Sequence, residues 1–242
     1  ATLDLSGAYH AGLLLSFYIA AFASFFAGLA GALLIFRRPL TDAVAIAFAC
    51  LFSNSLLLGL PITERAYGTE ALAGNLAIIS IHSPIFYGFG IAMMEWAKAR
   101  GHGLSAPTLG IKILRAIFSQ PLVLGLTAGF IVNLSGVPLP GAVMSAVDMM
   151  VRAAIPTALF GLGGVLLRYK PEGDRATIAM ICGCSLILHP ALAYVLGRWG
   201  FGIDAASLRS SVMTAAMASG VNAYMVAHLY CVSKQVKNKN KQ

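Results

Sequence analysis

The stretch F-S-N-S-L-L-L-G-L-P-I, residues 52–62, breaks an apolar segment near its middle with Asn54, Gly59 and Pro61. Toward the other end, A-M-A-S-G-V-N-A-Y, residues 216–224, breaks a second one with Ser219, Gly220 and Asn222. A helix that loses its regular hydrogen bonds inside a bilayer must satisfy the freed backbone within protein or along a water-lined cavity. Two such interruptions, one in each half of a chain, point to a binding site near the membrane midplane. The fold follows from this pairing.

Composition agrees. Of 242 residues, 58% are hydrophobic and 11% charged, with a mean hydropathy of +0.80. A water-soluble domain carries roughly 25% charged residues. Seven apolar spans are expected, over residues 11–36, 43–62, 71–94, 117–134, 143–167, 176–201 and 211–232. The net charge of +8 is spread over short loops and forms no groove-sized patch, which argues against nucleic acid. Thirteen Lys and Arg fall in one set of alternate loops and three in the other, with Arg152 inside a span. That bias puts the start of the chain outside and the basic tail, 232–242, in the cytoplasm. The first residues, A-T-L-D-L-S-G-A-Y-H, do not read as a secretory leader.

The expected fold class is therefore all-α: a polytopic membrane protein with about seven transmembrane helices, an inverted-repeat transporter fold and two broken crossover helices. The polar stretch from Glu95 to Arg115 supplies the joint. Residues 1–98 form a partial N-terminal repeat of three spans and 99–116 a cytoplasmic linker. Residues 117–242 form a C-terminal repeat of four spans with the basic tail. The first and second spans look like the sixth and seventh in opposite orientation.

Asn54 and Asn222 are the leading site candidates, because an amide offers donors and acceptors where ions are costly. Half-helix N-termini beside them would suit a carboxylate. The plainer reading is interhelical hydrogen bonding. Ser53 and Ser219 flank the amides and could bond an anion or their own helix backbone. Gly59, Pro61 and Gly220 read as hinge positions. Asp148 and Arg152, one helical turn apart, suit an ion pair or a coupling role. His82, His189 and His228 have no ligand spacing and read as polar fillers near Pro84 and Pro190. The cysteines (Cys50, Cys182, Cys184, Cys231) read as small buried hydrophobes. No nucleophile motif, phosphate loop or zinc signature occurs, so no cofactor, metal or catalytic activity is expected.

Three stretches carry a family resemblance. Residues 52–62 resemble the fourth-helix crossover of the auxin efflux carrier family. A-A-I-P-T-A-L-F-G-L-G-G-V-L at 153–166 resembles its seventh helix, and residues 215–230 its ninth. The bacterial branch of malonate-type permeases is the most similar. Members usually show Pro before Ser-Gly, where this chain has Ala218. The family has ten helices in two inverted repeats, so the resemblance implies a chain matching helices three to nine, without the first two or the last. It also implies secondary transport of a small organic anion such as malonate, by alternating access around the crossing helices. The partners so implied are that anion and the bilayer of a bacterial inner membrane; association as a homodimer is left open. The competing readings are a truncated, non-transporting fragment and a sodium-coupled symporter of the bile-acid type.

Overall fold

The computed structural model describes residues 9–98, 106–118, 121–168 and 174–219. Helices and one isolated antiparallel bridge make up the regular structure of these residues. In chain order, α1 is Ala11–Ile35 and α2 Leu40–Leu51; α3 covers 55–67 and α4 is Thr69–Lys98. Then come α5, Ala106–Phe118, α6, Pro121–Ser135, and α7, Gly141–Arg168. Finally α8 is Arg175–Gly200 and α9 Ala205–Ala215.

Several of these helices contain a π turn: Gly31–Ile35 in α1, Ser55–Gly59 in α3, and Cys184–Leu188 and Leu196–Gly200 in α8. Such turns widen the helix and frequently mark working positions. The starts of α8 and α9 are set by acidic caps. Asp174 accepts from the Ala176 N–H at 3.1 Å, and Asp204 from Ala206 and Ser207 at 2.9 and 3.0 Å. An N-cap carboxylate satisfies orphan N–H groups and complements the helix dipole.

The core forms where α1 packs on α2, α8 and α9 and where α4 packs on α2 and α9. Phe17, Phe25, Phe48, Phe52 and Phe86 are fully buried there. Their edge-to-face contacts, such as Phe25 on Phe89 at 4.8 Å, are the geometry aromatic quadrupoles prefer. Small residues allow close approach elsewhere: a Cβ on Gly74 of α4 would lie 2.6 Å from Ser210 Oγ of α9. Membrane helices associate through such contacts, because lipid removes the hydrophobic drive between them. Large apolar side chains of α8 face outward, Ile187 at 70% and Trp199 at 71% exposure, as a lipid-facing surface requires.

The expected span count is corrected here. Among the described residues, three helices are long and apolar enough to cross a membrane: α1, α4 and α8. The expectation of about seven spans in an inverted-repeat fold with two broken crossover helices does not hold. Hydropathy merged residues 43–62 into one span, but the chain leaves the helix after Leu51, and α2 has 12 residues. At 1.5 Å per residue that falls well short of the roughly 30 Å of hydrocarbon. The 15 residues of α6 and the 11 of α9 fall short as well. α7 has the length, but it carries Asp148 and Arg152 on exposed positions.

Candidate functional site

The break after α2 is real, and it is closed by the far end of the described chain. Phe52 takes extended torsions, φ −91° and ψ 93°, and Asn54 sits at φ −79°, ψ 61°. Ser53 pairs with Ser219 in an antiparallel bridge. The Asn54 N–H donates to the Ala218 carbonyl at 2.9 Å, and the Ser219 hydroxyl donates to the Ala49 carbonyl. These bonds supply backbone groups with the partners that the interrupted helix cannot provide.

The chain re-enters a helix directly. The Asn54 carbonyl accepts from Leu58 and Gly59, both at 3.2 Å, so the new helix opens on a π turn. Pro61 stands at the start of the α-helical part that follows, and Gly59 lies beside Met217, 3.5 Å from where its Cβ would be. Ser53 and Ser55 hydroxyls meet at 2.8 Å. Ser53, Asn54 and Ser55 are all buried, while Ser219 is exposed. The Asn54 side chain has no hydrogen-bond partner among the described residues.

The structure thus brings Ser53, Asn54, Gly59 and Ser219 together around one gap in the helix. Gly220 and Asn222 lie outside the described residues, as do His228 and Cys231. Asp148 and Arg152 are exposed on α7 and form no salt bridge within the described residues. Arg38 pairs with Asp174 at 3.4 Å. This pair joins the end of α1 to the start of α8.

A second polar group was missed in the sequence. Asn75 of α4, fully buried, donates its amide N–H to Thr214 of α9 at 2.9 Å and to Thr63 of α3 at 3.4 Å. Its Oδ1 is buried without a partner. On α9, Ser207, Ser210, Ser211 and Thr214 are all buried and share one face by their spacing. Ser211 meets Ser16 of α1 at 3.1 Å. That hydroxyl face was visible as an i, i+3, i+4, i+7 pattern of Ser and Thr. Its upper end borders a cavity of about 320 Å³ whose lining includes Glu70, Asp204, Ser207 and Arg209. Arg209 lies over the Tyr67 ring at 4.8 Å, tying α9 to α3. No grouping of three or more potential metal ligands occurs among the described residues.

A buried helix gap with small hydroxyls and an amide offers hydrogen-bond donors and acceptors inside an apolar surround. The profile of the membrane transport protein family matches residues 8–238. The chain belongs to this family. The resemblance to auxin efflux carrier permeases holds at that level. A protein of Rhizobium meliloti (strain 1021), named as a candidate malonate transporter, is 25% identical over 196 residues, covering 81% of this chain and 61% of its own. An uncharacterized transporter of Methanothermobacter thermautotrophicus (strain Delta H) is 26% identical over 175 residues, 71% of this chain and 55% of its own. The chain therefore spans less than two thirds of the length of either relative. It is an integral membrane protein of a transport-protein family.

Proposed function

We propose that the chain works as a secondary carrier of small organic anions, with a dicarboxylate such as malonate as the substrate class. The observation that carries this reading is the gap at Ser53–Asn54, bridged to Ala218–Ser219. There an amide, two buried hydroxyls and the start of α3 converge. N–H groups at a helix start attract a carboxylate through the helix dipole, and the Asn54 amide can donate to the same oxygens. Ser53, Ser219, Gly220 and Asn222 complete the site in this reading, Gly59, Pro61 and Gly220 act as its hinges, and Asp148 with Arg152 remains a candidate coupling pair. The name of the Rhizobium meliloti relative supports malonate as the first substrate to test.

Alternating access would arise as the elements around the gap move against the rest of the molecule. The chain is read in two units, residues 1–98 and 117–242, joined through 99–116. In this reading the chain sits in a bacterial inner membrane, as the origin of the Rhizobium meliloti relative suggests.

The test is exchange of labelled malonate across proteoliposomes holding this chain, with unlabelled mono-, di- and tricarboxylates as competitors. Exchange inhibited most by short dicarboxylates is expected. No exchange of any carboxylate, in either orientation, would contradict the proposal.

A further inference from the structure

Two buried histidines lie beside the gap, and neither the substrate site nor the helix kinks use them. His82 of α4 and His189 of α8 are 3% and 0% exposed. Their rings pack on the Phe17 ring of α1 at 5.7 and 5.1 Å. All four imidazole nitrogens are buried without a hydrogen-bond partner. A histidine kept to fill a proline kink would spend its nitrogens on the backbone that Pro84 or Pro190 frees. Neither does.

The neighbours are aromatic. Phe86 lies 4.4 Å from His82, and Phe52, the first residue of the gap, meets it edge-on at 4.8 Å. Titratable neighbours come from each packed element. From α1, Tyr18 donates its hydroxyl to the Ile78 carbonyl at 2.9 Å. From α4, Tyr87 packs on Phe52 at 5.6 Å. The thiols are Cys50 of α2, buried, and Cys184 of α8, half-buried, and from α9 the Ser211 hydroxyl, which does not titrate, meets Ser16 at 3.1 Å. No Asp, Glu, Lys or Arg is buried among the described residues.

We propose that His82 and His189 form a proton-binding site whose occupancy is tied to movement at the gap. This rests on the carrier reading above. A charge among aromatic rings with no polar partner is costly, so uptake requires the packing to open. Phe52 is the ring that opens it: its backbone is extended, and Ser53 and Asn54 follow it directly. When substrate draws that segment away, water reaches one imidazole nitrogen and a proton moves onto it. When Phe52 returns, the proton goes back to water. No other bond is made or broken, and proton binding becomes linked to substrate binding.

The experiment follows imidazole ¹⁵N signals of the ¹⁵N-histidine-labelled chain in nanodiscs, from about pH 5 to pH 9, with and without malonate. Among the signals of the five histidines, one proton-binding step is expected that is absent in both His82→Gln and His189→Gln. Malonate should move its midpoint by about one pH unit, a tenfold change in proton affinity. Phe52→Leu, which keeps both histidines, should move the same step. His82 and His189 rings that hold one protonation state throughout would overturn the proposal. So would a step that malonate leaves in place although malonate exchange is measured. Malonate exchange across proteoliposomes reads the carrier assignment separately. A step lost in both glutamine variants supports the proton site even where exchange is absent, and absent exchange then refutes the carrier assignment alone.

Discussion

Asn54 and Ala218 meet through a single backbone bond: the Asn54 N–H donates to the Ala218 carbonyl at 2.9 Å. That contact joins the end of the first broken segment to the residue before Ser219. It brings the break after α2 beside the stretch that follows α9, distant in sequence.

The Ser53–Ser219 bridge predicts a cross-link. Opposed residues of an antiparallel pair have Cα atoms about 4.5–5.5 Å apart, within disulfide range. Ser53→Cys with Ser219→Cys, in a chain whose four native cysteines are changed to Ala, should oxidise to a band resistant to alkylation. Malonate exchange should stop on oxidation and return on reduction. Two thiols that stay fully alkylatable under oxidant would contradict the pairing.

Gly74 predicts a packing defect. A methyl there would meet Ser210 Oγ at 2.6 Å and Cβ at 2.8 Å, with Ser210 itself buried. Overpacking of this kind costs about 1–3 kcal/mol. Gly74→Ala should lower the thermal midpoint in detergent, and Ser210→Gly added to it should recover most of the loss. An unchanged midpoint for Gly74→Ala would show that α4 and α9 are farther apart.

Asn75 and Thr214 should be energetically coupled. Interhelical side-chain hydrogen bonds in membranes are worth about 0.6 kcal/mol on average and up to about 1.7. A double-mutant cycle of Asn75→Ala and Thr214→Val should return a coupling in that range. Additive effects within error would place the two residues apart.

Asp174 predicts a pH dependence. Its hydrogen bonds from the Thr177 hydroxyl and the Ala176 N–H, then the Arg38 charge, hold its carboxyl below the usual aspartate range. A depressed carboxylate stabilises fully above its unfolded value, near about pH 4, and loses that contribution as pH falls through the folded value. Asp174→Asn keeps a good N-cap and removes the titration. Between about pH 6 and pH 3 the variant should therefore lose less thermal stability than the parent. Parallel curves would show that Asp174 contributes nothing that titrates.

The break at Ser53–Asn54 was legible because Ser, Asn, Gly and Pro are costly inside an apolar helix, and their clustering marked the spot. The ends of α1, α4 and α8 were legible for the opposite reason: long uninterrupted apolar runs leave few alternatives. Span number was not legible. Hydropathy averages over residues 43–62 and cannot register that Leu51 ends one helix and Ser55 begins another. The pairing of Ser53 with Ser219 was hidden too, since two extended residues carry no period. The polar group at Asn75, Thr63 and Thr214 depends on three helices meeting, which no single segment reveals. His82 and His189 read as polar fillers until their nitrogens proved unpartnered.

The most direct test of the central claim is malonate affinity in nanodiscs, by isothermal calorimetry, for the parent chain and Asn54→Ala. Removing an amide that bonds a carboxylate in a buried site costs about 1.5–3 kcal/mol, so affinity should fall by roughly tenfold or more, with the fold intact by circular dichroism. Equal affinity in the two proteins would mean that the gap bridged to Ala218 is not where the anion binds.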